Sequence, residues 1–109
     1  MAKAILMACS DPAEPGREQE YRDWYDDHIR AVLRVPGFVR AVRYRASPDQ
    51  AYGRPPTGYL TIYEIEGDDI VAARRGLLDA KDRGEIPASD VLVAGPISYW
   101  DVDVEFVQS

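Results

Sequence analysis

The sequence is poor in the residues that most often carry chemistry. Among 109 residues there is one cysteine, Cys9, and one histidine, His28. A lone cysteine excludes an internal disulfide framework and thiolate zinc sites. A lone histidine excludes a poly-histidine metal centre within one chain. Basic residues are also short: 13 against 19 acidic ones, for a net charge of −6. A chain without a basic excess is not expected to bind nucleic acid or an anionic membrane. No long apolar run occurs. Ala4 to Cys9 is too brief for a signal peptide or for a membrane span, which needs about 20 residues. The expectation is therefore a soluble, cytoplasmic protein. Neither GxGxxG nor GxxxxGK is present, so no nucleotide cofactor is expected.

What remains is an ordinary globular composition, 46% hydrophobic and 29% charged. The length fits one domain over residues 1–109, since single domains commonly hold about 100–150 residues. Proton chemistry near neutral pH must centre on His28 or on a perturbed carboxylate or tyrosine.

Lys3 to Cys9 is an apolar run of strand length, followed by turn chemistry from Ser10 to Gly16. A helix is predicted from Arg17 to Leu33. Tyr21, Trp24, Tyr25, His28, Ile29 and Val32 recur along it at helical spacing and form one apolar face. Pro36-Gly37 stops it. Phe38 to Arg45 and Tyr59 to Glu66 read as strands, joined by a proline-rich connection, Ala46 to Gly58, with the length of a lid or of a loose hairpin tip. A second helix opens at Gly67-Asp68-Asp69 and ends between Ala80 and Gly84. Glu85 to Pro96 is less regular. Ile97 to Val107 alternates and is predicted as the last strand.

The order β-α-β-β-α-β predicts a four-stranded antiparallel sheet with two helices on one face, a ferredoxin-like α+β fold. Several strands are apolar at both parities. Val39 and Ala41 stand against Phe38, Val42 and Tyr44; Leu60 and Ile62 stand against Tyr59, Tyr63 and Ile65. A sheet face left in water would be polar. The second face is therefore expected to be covered by another copy, giving a homodimer.

A histidine on an apolar helix face is commonly a core residue bonded to a neighbour. Here the face is rich in aromatics with polar ends that need partners. His28 falls about 8 Å from the helix end at 1.5 Å per residue, level with Arg40 to Val42 and Ile62 to Tyr63. Tyr63 is the phenol expected beside it, and Arg40 or Arg43 the group expected to hold an anion. Cys9 falls about 16 Å from His28 by the same rise, so no Cys–His dyad is expected. Asp23, Asp26 and Asp27 read as a solvated helix surface, with Asp26 paired to Arg22 or Arg30; no metal site is expected.

The stretch EYRDWYDDHIRAVLRVPGF, Glu20 to Phe38, resembles the EthD-like proteins of the dimeric α+β barrel superfamily. The resemblance lies in Trp24, Tyr25, His28 and Ile29, in Pro36, Gly37 and Phe38, and in the basic strand with Arg40, Arg43 and Tyr44. It extends more weakly to YLTIYEIE and Gly95-Pro96. The resemblance implies a dimer in which two sheets form a barrel. It implies a cofactor-independent enzyme acting on a small aromatic, polyketide-like or lactone molecule: an isomerase, cyclase or lyase. It assigns His28 the role of general acid/base. Trp24, Tyr25, Phe38 and Tyr63 would wall the pocket. A cofactor-free monooxygenase and a non-catalytic small-molecule-binding protein are the alternatives.

Overall fold

The computed structural model describes residues 2–109. Strand β1 (Ala2–Pro12) leads through a turn into helix α1 (Glu18–Val32), then β2 (Phe38–Arg45), β3 (Tyr59–Gly67), helix α2 (Ile70–Asp82) and β4 (Leu92–Asp101). The sheet order is β2-β3-β1-β4, with every pairing antiparallel. This is the ferredoxin-like arrangement predicted from the element order.

Local chemistry sets the helix ends. Asp69 caps α2 by accepting from the Ala72 amide at 3.0 Å. The carboxylate of Glu18 takes the Gly16 amide at 3.1 Å before α1. After α1 the chain turns at Gly37, whose φ of +97° suits only glycine well. A Cβ there would also fall 2.7 Å from the Ala73 Cβ. The turn thus sets how closely α2 packs on the start of β2.

The main core lies between the helices and one sheet face. Leu6, Val32, Val35, Phe38, Ile65 and Leu77 are all buried in it. A second cluster, Tyr21, Tyr25 and Val91, closes the opposite end of α1.

The structure departs from the sequence expectations in three places. First, β1 runs on to Pro12, because after a bulge between Ala8 and Ser10 it pairs with Ala94, Val93 and Leu92. Second, β4 is Leu92–Asp101 rather than Ile97 to Val107. Its partner β1 begins at Ala2, and Ala4 already faces Asp101. Val102 still donates to the Lys3 carbonyl, and beyond it no ladder pairing continues among the described residues. Phe106 is 90% exposed. Third, β2 carries an irregularity between Phe38 and Arg40. Phe38 thereby shares the helix-facing side with Ala41, which pairs with buried Tyr63, while Arg40 pairs with Glu64 on the other side.

Apart from charged residues such as Arg40 and Glu64, that other side is largely apolar. Ile5, Met7, Val42, Leu60 and Ile62 share it by register, together with Trp100, which is 56% exposed. None of the helices covers it.

Candidate active site

Helix α1 presents its aromatic face to the sheet, and α2 lies alongside. Between them opens a cavity of about 410 Å³. That is within the size range of small-molecule sites. Its walls come from α1 (Trp24, Tyr25, His28, Val32), from the sheet (Leu6, Tyr63, Ile97), from α2 (Leu77, Lys81) and from the segment after α2 (Ile86, Pro87, Ala88, Ser89). The lining is mostly apolar.

His28 is half-buried, with its ring against Trp24 at 4.8 Å and Tyr25 at 5.5 Å between centroids. Its Nδ1 lies 2.9 Å from the Pro87 carbonyl oxygen. A carbonyl can only accept, so Nδ1 carries the proton and donates it. Nε2 is then the lone-pair nitrogen of the neutral ring. It has no hydrogen-bond partner among the described residues, yet it is not among the polar atoms sealed from solvent. Burial lowers the imidazole pKa from 6.5, and Lys81 adds to the lowering, while the bond to Pro87 opposes it. The ring is therefore neutral at pH 7, with its basic nitrogen free.

Two further polar atoms in the wall residues are unsatisfied. The Trp24 Nε1 and the Tyr63 hydroxyl are buried without a partner. Such groups cost about 1–3 kcal/mol each and call for a reason. Burial, with the Tyr25 phenol adjacent, pushes the Tyr63 pKa far up. Tyr63 is therefore a hydrogen-bond donor and never a base at ordinary pH. Tyr21 offers a contrast one turn away. Its hydroxyl lies 2.6 Å from Ser10 Oγ, and its pKa rises to about 12, chiefly through burial.

The structure brings His28, Trp24, Tyr25 and Tyr63 to one cavity. It places Phe38, Arg40 and Arg43 elsewhere. Phe38 is buried in the core, edge-on to Tyr63 at 6.4 Å. Arg40 turns to the opposite sheet face, paired with Glu64. Arg43 bonds Asp26 at 2.8 Å and lies over the outside of the Tyr25 ring at 5.6 Å. Asp26 thus pairs across to the sheet, not with Arg22 or Arg30. Arg22 donates to the Tyr59 hydroxyl and Arg30 to Asp27.

Cys9 lines the same cavity as His28. Ala8, Cys9 and Ser10 all line it in succession. Regular alternation forbids that, and the bulge at Cys9 permits it. No residue of the Ala46 to Gly58 connection lines the cavity. That loop is tied to the far end of β1, where the Gly58 amide donates to Asp11 at 2.7 Å.

Sequence reasoning missed Lys81 and the segment Ile86 to Ser89. Lys81 looks like any cation in a last helical turn. The segment has no periodicity to read. Its one signal was an Ile-Pro pair just after a helix end.

No family model matches the chain, and no curated protein matches it. Solved structures do. A putative monooxygenase from Shewanella loihica PV-4 aligns with a TM-score of 0.59 at 13% identity, over 96% of this chain and 99% of that one. HapK from Hahella chejuensis aligns with a TM-score of 0.57 at 16% identity, over 97% and 98%. At these identities the likeness establishes the fold alone, the ferredoxin-like α+β arrangement.

Proposed function

We propose that the chain is a cofactor-independent enzyme that moves a proton on a small aromatic, polyketide-like or lactone molecule, as an isomerase, cyclase or lyase. The observation that carries this reading is the His28 tautomer. Nδ1 is committed to the Pro87 carbonyl, so Nε2 is a free base beside a mostly apolar cavity. Such a nitrogen takes a proton from a C–H or O–H made acidic by an adjacent carbonyl. The C–H electron pair moves onto the carbonyl, giving an enolate. The imidazolium then returns the same proton to a different atom. Atoms and charge balance with no added reagent. Proton transfer of this kind typically contributes about 10²–10⁴-fold.

Tyr63 and Trp24 supply the complementary half. Each holds a donor with no partner, and a small shift of the wall would present it to the enolate oxygen. Donors aimed at developing charge are worth most where water is excluded. Tyr25 and Trp24 would stack on a planar ligand.

The test is turnover across a panel of aromatic, polyketide-like and lactone metabolites, by wild type and by His28→Ala. Loss of turnover in a folded variant supports the reading. Full activity in that variant sinks it, and binding without product in the wild type assigns a binding protein instead. The oxygenase alternative keeps His28 as base but lets the substrate anion reduce dioxygen. The name of the Shewanella protein keeps it in view, and oxygen uptake during turnover separates the two.

The uncovered apolar sheet face supports a homodimer, since a patch of this kind on a soluble chain usually marks an interface. Sedimentation at micromolar concentration should give twice the chain mass. The mass of one chain would contradict it.

A further inference from the structure

We propose that Lys81 selects ligands that carry an anionic group, making the natural substrate a small aromatic or polyketide-like acid rather than a neutral molecule. The proposal rests on reading the cavity as a small-molecule site, and it adds the ligand's charge.

Of the cavity's 18 lining residues, Lys81 alone carries a formal charge once His28 is neutral. The chain holds 19 carboxylates, and none lines this space. In a protein of net charge −6, the far field repels anions. A local cation must therefore do any attracting, within the roughly 8 Å over which charge acts at physiological salt.

Lys81 is also free to act. It forms no ion pair among the described residues; Arg22, Arg34, Arg45, Arg54 and Arg75 are likewise unpaired, but none of them lines the cavity. A lysine in a last helical turn is ordinary surface chemistry, favoured by the helix dipole. What distinguishes Lys81 is its place on the wall of a cavity whose other side chains are uncharged. An ammonium is a compact point charge on a flexible stem, suited to a carboxylate at a cavity mouth.

The position has a chemical consequence. A carboxylate held by Lys81 fixes one end of a flat ligand. The apolar remainder then lies in the apolar part of the cavity beside Trp24 and Tyr25, with the carboxylate end within electrostatic reach of His28. Lys81 also acts on the base itself. Its charge disfavours the imidazolium, and an anion docked on it would relieve that effect and ease proton uptake.

A matched pair of probes tests this: 2-naphthoate and 2-naphthamide, of the same shape but different charge. Binding is measured by calorimetry, and occupancy of the cavity by the shift of the Trp24 indole N–H resonance. Wild type should prefer the carboxylate by roughly three- to fivefold at low salt, the range an exposed ion pair supports. The preference should shrink in high salt. Lys81→Met should abolish it while leaving 2-naphthamide binding unchanged, and Lys81→Arg should keep it. Equal binding of both probes by the wild type overturns this proposal alone. So does an equal loss of both in Lys81→Met, which would mark a structural role. If neither probe moves the Trp24 resonance, this proposal falls together with the cavity reading.

Discussion

Tyr21 and Tyr63 are both fully buried phenols between α1 and the sheet, and their surroundings differ in one respect. Tyr21 meets Ser10 at 2.6 Å and packs with Tyr25 and Tyr59. Its polar end is satisfied, so its region reads as structure. Tyr63 belongs to the cavity wall, and its hydroxyl, with the Tyr25 phenol nearby, makes no well-formed hydrogen bond. The two regions share an aromatic helix face, yet only one leaves hydrogen-bonding capacity unused. The residue type therefore does not mark a site here. The unmet bond does where it coincides with the cavity wall; Thr61 and Arg74 also hold unmet buried polar atoms, and neither lines the cavity.

The largest effect that would sharpen the contrast belongs to His28. His28→Ala should lower turnover by about 10²–10⁴-fold, with the circular dichroism spectrum unchanged. Tyr63→Phe comes next. It should cut turnover by about 10²-fold, as removal of an oxyanion donor does, while the melting temperature holds or rises, because an unpaired buried group is gone. Ser10→Ala should do the reverse. It strands the Tyr21 hydroxyl, costs about 1–3 kcal/mol and lowers the melting temperature by about 4–8 °C per kcal/mol. Its effect on turnover should be small. If Tyr63→Phe behaved like Ser10→Ala, the distinction between the two regions would be broken.

The smallest effect is a pH dependence. The His28 pKa in the fold lies below its ordinary 6.5. Below pH 6.5 the unfolded chain then binds more protons than the folded one, so stability declines as pH falls through that value and is not limited by His28 above it. The acid limb of kcat/KM should likewise lie below 6.5. An imidazole titration by NMR with a midpoint above 6.5 would contradict both.

Much of the fold was legible because it rests on local periodicity. The α1 stripe and the bounds of β2 needed only the spacing of Tyr21 to Val32 and of Phe38 to Arg45. The end of β4 was not legible. Val102, Val104 and Phe106 alternate as well as any strand, but a strand is defined by its pairing, and the ladder with β1 stops at Ala4 and Asp101. The facing of Arg40 was lost for a similar reason. One irregular residue after Phe38 reverses the parity that follows. Of the site, the four residues on or facing α1 could be read from helical spacing and topology. The wall at Ile86 to Ser89 could not, because only a long-range contact, Pro87 to His28 across 59 positions, brings it into place.

That contact uses a main-chain oxygen. Every amino acid has one, so no single codon change at position 87 deletes the acceptor. Side chains from Ile86 to Ser89 can then drift and reshape the cavity while the ring beside them keeps its tautomer. The base and the ligand range are in this way inherited separately: one is held by the path of the backbone, the other is open to point mutation.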